Sequence, residues 1–317
     1  MTRGTIIKGI AGFYYVKTFG FVYLCRARGI FKKDGVTPLV GDEVMIEIQD
    51  GTEGVVSEIL PRKNAFVRPP IANIDVFVAV VSAEAPAPNP GVLDRFLVTA
   101  EAANVASIVC VNKTDLKGSR SAVLKGAART DEAPATGIET IYAPLYPTVL
   151  VSAKTGEGIE KLKSLIGTRR AAFAGPSGVG KSSLVNAFFA QEAMPTGSVS
   201  EKTGRGRHTT RHVEIVDTDF GAAIYDTPGY TAFEVGPRGE ADHDGEVRPD
   251  VWFPEIASHG KRCRFDDCRH LHEPNCAVTE ALREGLIAHS RYNSYVRLLS
   301  EAGRRTPQNG NRKGNGK

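Results

Sequence analysis

The sequence is poor in several things, and each shortage excludes a class of protein. It has no long hydrophobic segment: the longest nearly all-apolar run, Val76–Ala83, is eight residues, against the roughly 20 that a membrane-spanning helix needs. An integral helical membrane protein is excluded. The opening residues, Met1-Thr2-Arg3-Gly4-Thr5-Ile6-Ile7-Lys8, lack the apolar stretch of a secretory signal. Cysteine is scarce and odd in number, five in 317 residues, with three of them between Cys263 and Cys276. That pattern argues for a metal site in a reducing compartment and against a disulfide framework. Charge of neither sign dominates: 40 basic and 36 acidic residues leave a net +4, compatible with a nucleic-acid partner but not diagnostic of one. With 41% hydrophobic and 24% charged residues the chain is ordinary for a folded protein, which excludes wholesale disorder. Its length predicts two or three domains.

The chain changes grammar along its length. Over residues 1–69, Ile6, Ile10, Tyr14 and Val16, then Phe21, Tyr23 and Cys25, alternate with period two between glycines. Val44–Ile48 and Val55–Leu60 flank a turn at Gln49–Thr52. About five short strands in this space predict a small closed barrel of the OB type. Ten basic residues face seven acidic ones there, which leaves nucleic-acid contact by the barrel open. Residues 70–235 read differently. Apolar runs at Val76–Val81, Ser107–Val111, Val149–Val151 and Ala171–Ala174 alternate with helical stretches from Val92 to about Ala103, at Gly158–Ile166 and at Lys181–Phe189. That is the βαβ pattern of a parallel sheet covered by helices. Residues 236–301 hold the cysteine cluster and a helical stretch near Thr279–Leu299. Residues 302–317 carry Arg304, Arg305, Arg312, Lys313 and Lys317 without an acid, and read as a basic disordered tail.

Gly175-Pro176-Ser177-Gly178-Val179-Gly180-Lys181-Ser182 fits the pattern of a phosphate loop, placed between an apolar strand and a helix that also takes in Ser183. In such a loop backbone N–H groups turn toward phosphate oxygens, the lysine reaches the β- and γ-phosphates, and the serine hydroxyl ligates Mg²⁺. Asp226-Thr227-Pro228-Gly229 follows a further apolar strand, Ala222–Tyr225. Its carboxylate is placed to hold Mg²⁺ through water and the Gly229 N–H to reach a γ-phosphate. Between the two lies the basic segment Gly204–Arg211, whose Thr210, with Thr209 as the alternative, is the expected switch hydroxyl on Mg²⁺. No glutamine follows Gly229, where Tyr230 and Thr231 stand, so His208 is the available group to orient or deprotonate the attacking water. A histidine that only meets RNA or solvent is the alternative.

The base is read elsewhere. Asn112-Lys113-Thr114-Asp115 follows the strand Ser107–Val111. A carboxylate there accepts from both guanine N1–H and N2–H₂, a donor pair adenine lacks, while an asparagine amide meets the O6/N7 edge and the lysine stem lies across the ring. Ser152-Ala153-Lys154, after another strand, places a backbone N–H on O6. Together these motifs predict selection of guanine and a GTPase. Their order is unusual: the base readers precede the phosphate loop, and Asp226 comes last. Since all are loops at one edge of a sheet, a circular permutation preserves the site. In the C-terminal part, Cys263-x₄-Cys268-x-His270-x₅-Cys276 offers three thiolates and an imidazole, a closed tetrahedral set suited to one structural Zn²⁺. Lys261, Arg262, Arg264 and Arg269 stud that loop, which is consistent with RNA contact or a solvated face.

Taken together, and with Arg68–Asp75, Leu93–Leu97, Cys263–Cys268, His272–Val278 and Arg291–Tyr295 in this order, the chain resembles the circularly permuted, ribosome small-subunit-dependent GTPases of the RsgA type from about residue 4 to residue 300. The resemblance implies an N-terminal OB-fold barrel, a permuted α/β GTPase and a mainly helical C-terminal zinc module. It further implies a monomeric cytoplasmic protein that acts late in maturation of the small (30S) subunit, touches its rRNA, and hydrolyses GTP under stimulation by the subunit. It points to the same His208. An ATP-using P-loop enzyme, or an RNA-binding scaffold that keeps GTP as a structural ligand, are the alternatives to test.

Overall fold

The structure is a computed structural model that describes residues 1–33, 35–49, 51–116, 137–189, 213–226, 234–235 and 248–305. His208, Thr209, Thr210, Gly229 and the tail beyond 305 lie outside the described residues. The chain divides into two compact units, residues 1–236 and 237–317.

The first unit begins with the barrel. Strands β1 (Thr2–Ile10), β2 (Phe13–Thr18), β3 (Phe21–Ala27), β4 (Glu43–Ile48) and β5 (Glu53–Ile59) run in the order β1-β2-β3-β5-β4, with a one-turn helix α1 (Ile30–Lys33) between β3 and β4. Pairing of β1 with β4 closes the ring. Alternate residues point inward, so Ile6, Val16, Cys25, Val44, Ile46 and Val56 form a dry core while the intervening positions meet solvent. At the base of the barrel Asp42 is fully buried; Arg62 grips both its oxygens at 2.7 and 2.8 Å and the Leu39 N–H donates to it at 2.7 Å. A short hairpin follows, β6 (Ala65–Arg68) and β7 (Ile71–Ala72), joined by β14 (Glu234–Val235) in a separate three-stranded sheet.

Beyond the hairpin lie β8 (Val76–Ser82), helix α2 (Pro90–Ala102), β9 (Ala106–Asn112), helix α3 (Ile138–Tyr142), β10 (Thr148–Leu150), helix α4 (Ile159–Ile166), β11 (Arg170–Ala174), helix α5 (Lys181–Phe189), β12 (Glu214–Asp217) and β13 (Ala223–Asp226). The five strands β10-β9-β8-β11-β13 are parallel neighbours. Central β8 is buried at every position: Phe77, Ala79 and Val81 enter one apolar layer and Val76, Val78 and Val80 the other. A strand covered on both faces has no reason to alternate, which is why it reads as a continuous apolar run. Helix α2 starts where Asn89 caps the Val92 N–H ahead of Pro90, slightly earlier than periodicity suggests.

The sheet does not stop at β13. Antiparallel β12 lies between β13 and the barrel strand β1, so barrel and α/β sheet form one eleven-stranded surface. The junction is narrow, the single pair Lys8↔Glu214, reinforced by a 2.9 Å ion pair between those side chains.

The second unit contains a 3₁₀ turn (Pro249–Trp252) and helices α6 (Pro254–Gly260), α7 (Ala277–Arg283) and α8 (His289–Arg305). The helical stretch expected over Thr279–Leu299 is thus two helices, and the second continues past Ala302 to Arg305, further than composition suggested. Phe253, Ile256, Val278, Ala281, Ile287 and Tyr295 are buried. Among them Arg291, itself fully buried, forms a two-pronged pair with Glu255 at 2.7 and 3.0 Å and lies 4.6 Å over the Phe253 ring. No described helix is long and apolar enough to cross a membrane.

The Asp42–Arg62 pair yields a prediction for the barrel. Arg62→Ala leaves a buried carboxylate with one backbone donor, and its expected cost is about 2–3 kcal/mol, discounted from a fully buried pair because Arg62 is partly solvated. Urea unfolding followed by circular dichroism should show a lower midpoint at unchanged slope.

Candidate functional site

Four of the parallel strands deliver the predicted motifs from their carboxyl ends: β9 ends at Asn112, β10 leads into Ser152, β11 into Gly175, and β13 ends at Asp226. Loops at the carboxyl edge of a parallel sheet are where such folds bind ligands. The shuffled order of the motifs along the chain is undone by the strand order in the sheet.

Asn112 lies at the centre and is 1% exposed. Its Nδ2 donates to the Val179 carbonyl in the phosphate loop at 2.8 Å, and its Oδ1 accepts from the Ala153 N–H at 3.1 Å. One amide therefore fastens both neighbouring loops to the end of β9. Gly180 packs so closely beneath it that a β-carbon there would overlap Nδ2. The sequence argument put Asn112 and the Ala153 N–H on guanine itself; here each is engaged by the other.

Asp115 is partly exposed and accepts from the buried Ser152 hydroxyl at 2.7 Å. That hydrogen bond, with Lys154 and Lys113 nearby, holds its carboxyl below the usual aspartate range, so it stays an acceptor. Ser152 also accepts from the Thr155 N–H at 3.1 Å, which fixes the turn that presents Ala153. Thr114 is tied by N–H and hydroxyl to the Val151 carbonyl, at 3.2 and 3.0 Å. Lys113, expected to lie across the base, donates from Nζ to the Ala85 carbonyl at 2.6 Å. Ala85 is a group the sequence argument missed, since a backbone carbonyl leaves no signature in residue type.

In the phosphate loop Lys181 is half-buried and donates to the carbonyls of Gly175 at 2.6 Å and Pro176 at 3.0 Å. Burial pushes its ammonium below the usual lysine range. Val179 is buried under the loop, while Ser177 and Gly178 at the tip and Ser182 and Ser183 on the first turn of α5 are exposed. Asp226 ends β13 opposite Glu214.

The second unit brings Cys263, Cys268, His270 and Cys276 together, all four ligand atoms within 4.8 Å of one another. Cys263 Sγ lies 3.8 Å from Cys276 Sγ, and His270 Nδ1 is 3.5 and 3.4 Å from those two sulfurs. A tetrahedral zinc with ordinary bond lengths requires S···S edges of about 3.8 Å and S···N edges of about 3.6 Å. The donor set fits such an ion. Against burial, which raises it, the Thr279 and Val278 N–H groups hold the Cys276 thiol below its ordinary range at the start of α7. The scaffold comes from residues the sequence argument quoted without a role. Tyr292 and Tyr295 donate to the carbonyls of His270 and Arg269, both at 2.6 Å, and the Glu273 carboxylate accepts the N–H groups of Arg269, Leu271 and His272 at 2.8–3.0 Å.

The family model for the RsgA GTPase matches residues 59–236, and that for the RsgA N-terminal domain matches residues 3–56. A small ribosomal subunit biogenesis GTPase RsgA from Caldanaerobacter subterraneus is 44% identical over 300 residues, covering 94% of this chain and 95% of the relative. Its counterpart from Bacillus cereus is 40% identical over 97% of this chain and all of the relative. Among solved structures, YjeQ from Thermotoga maritima is similar with TM-score 0.74 at 32% identity, covering 95% of this chain and 98% of that one. YloQ, described as a circularly permuted GTPase, is similar with TM-score 0.73 at 34% identity over 97% of each chain.

The Asn112 clasp generates a direct expectation. Asn112→Ala strands the Val179 carbonyl and the Ala153 N–H and should weaken binding of a fluorescent GDP analogue by about 30-fold, on the basis of about 1 kcal/mol per lost hydrogen bond. Titration of wild type and variant under one buffer condition checks it.

Proposed function

This chain belongs to the RsgA GTPase family, and we propose that it hydrolyses GTP to GDP and phosphate in the late maturation of the small (30S) ribosomal subunit, in the cytoplasm, as a monomer whose turnover the subunit stimulates. The observation that supports this reading most is the convergence of Asn112, Asp115, Ala153 and the phosphate loop on one sheet edge, with Asn112 tying the loops together.

The residues take the following roles. Asp115 accepts from the guanine N1–H and N2–H₂ donors, and Ser152 keeps the carboxylate aimed. Lys154 faces the O6 side, the Ala153 N–H turns there from its bond with Asn112 when the base binds, and Lys113 and Thr114 shape the base slot. The backbone from Gly175 to Gly180 surrounds the phosphates, and Lys181 exchanges its contacts with the Gly175 and Pro176 carbonyls for phosphate oxygens. Ser182, Thr210 and Asp226 are the groups that would hold Mg²⁺, which would supply neutralising charge to the phosphates. Ser183 adds a hydroxyl on the same helical turn, and the Gly229 N–H approaches the γ-phosphate. His208 orients the attacking water or accepts its proton.

The four ligands at Cys263, Cys268, His270 and Cys276 hold one structural Zn²⁺. The neighbouring cations Lys261, Arg262, Arg264 and Arg269 suit a phosphate-rich partner. Arg264 lies 5.6 Å over the ring of Phe265, which is 40% exposed. A cation stacked on an accessible aromatic is a surface that RNA bases and phosphates both satisfy.

GTP turnover with and without purified small subunits tests the reading. Stimulation supports it, while slow hydrolysis indifferent to the subunit would favour a scaffold role, and equal competition by ATP would remove the guanine assignment. His208→Ala should retain GTP affinity and lose most hydrolysis; wild-type turnover in that variant would remove the histidine from the mechanism. Metal analysis should find one zinc per chain, lost in Cys268→Ser.

A further inference from the structure

We propose that the loop after β8 is part of the nucleotide site, with Ser82 a positioning residue for the base that acts through Ala85 and Lys113. The inference rests on the reading of Lys113 as a side chain that shapes the base slot. Strand β8 stands between β9, which ends in Asn112, and β11, which leads into the phosphate loop. Its outgoing loop therefore leaves the sheet edge between the base-reading and phosphate motifs, and nothing in its residue types marks it.

Ser82 is the last residue of β8, 1% exposed and in register with Asn112. The Ala83 N–H donates to the Asn112 carbonyl at 2.7 Å, so the chain is still held by β9 as it leaves the strand. The Ser82 hydroxyl then folds the loop back on itself. It donates to the Ala85 carbonyl at 2.9 Å and accepts from the Glu84 N–H at 3.3 Å. That turn presents the Ala85 carbonyl to Lys113, whose Nζ donates to it at 2.6 Å. A carbonyl oxygen has two lone pairs, and this one receives both the hydroxyl and the ammonium.

The clasp restrains a side chain that would otherwise wander. A lysine ammonium rides on a flexible four-carbon stem, and here its far end is pinned. The backbone is pinned as well: Lys113 has φ of 67°, a conformation that a non-glycine residue keeps where its surroundings over-determine it. Between those two fixed points the stem passes the phosphate loop. Its Cε lies 4.0 Å from the position that a β-carbon on Gly180 would take. The loop after β8 also reaches the tip of the phosphate loop, since Pro86 Cδ lies 3.8 Å from the corresponding position on Gly178. The stem is thus set in place before a base arrives, and less ordering is left to binding.

A hydroxyl that only stabilised the fold would lower the melting temperature and leave nucleotide release alone. In the full chain, Ser82→Ala should speed release of a GDP analogue labelled on the ribose by about fivefold, the worth of one hydrogen bond. Because the effect runs through Lys113, Ser82→Ala should add nothing measurable in a Lys113→Ala background. Ser82→Cys, close in volume but a weak donor, should move release in the same direction by about twofold. It decides the question, in both backgrounds, should Ser82→Ala fail to fold. Unmoved release in the serine variants, or equal acceleration with and without the Lys113 side chain, would overturn the proposal while sparing the role of Lys113. Lys113→Ala alone is the control: unmoved release there would remove the reading of Lys113 and the proposal with it.

Discussion

A single buried amide joins the phosphate-loop motif to the loop that follows β10. Asn112 projects from the end of β9, its N–H group held by the phosphate loop and its oxygen held by the loop after β10. Each of those loops leaves its strand at the same edge, but neither is hydrogen-bonded to the other within the sheet. Without a group in the middle that both donates and accepts, their separation would be set only by loop stiffness. An amide offers both roles in a fixed plane, and in a dry pocket an unmade partner is costly. The spacing between the phosphate loop and the loop after β10 is thereby built into the protein.

The motifs were legible because their chemistry dictates residue type. A phosphate loop needs glycines and a lysine at set spacing, and a closed tetrahedral metal site needs four thiolate or imidazole ligands, which here lie in one short loop; neither signal depends on distant packing. The barrel and the parallel sheet were legible from the contrast between alternating and uninterrupted apolar runs, clearest in β8. What stayed hidden is whatever is decided by backbone or by chain segments far apart. The Ala85 carbonyl that receives Lys113 and the tyrosines that brace His270 and Arg269 are invisible to periodicity because these contacts are made to peptide groups. The break between α7 and α8 was missed because both helices contribute apolar residues to one core, which blurs a short interruption in the pattern.

Two metal- and ligand-related environments in this chain use the same physical device in different units. Around the phosphate loop, carbonyls of Gly175 and Pro176 hold the Lys181 ammonium inside the cradle. Around the cysteine cluster, N–H groups of α7 stabilise the Cys276 sulfur, and Glu273 gathers three more N–H groups to shape the loop. In both places the backbone supplies the field and the side chain supplies the charge. Loops shaped in this way by their own hydrogen bonds leave less ordering cost to binding.

Permutation has a structural consequence that the strand order makes plain. A parallel sheet needs its strands side by side with their carboxyl ends together, and it is indifferent to the order in which the chain visits them. What changes is the covalent neighbourhood of the site. Here β12 enters from the segment that carries His208 and Thr210, pairs with the strand of Asp226, and on its other edge meets the first strand of the barrel. Any displacement of β12 is felt by the strand of Asp226 on one edge and by the barrel wall on the other. Packed β-structure does not stretch, so such a displacement must either be blocked by the barrel or move it. The narrow junction at Lys8 and Glu214 is where those two outcomes part.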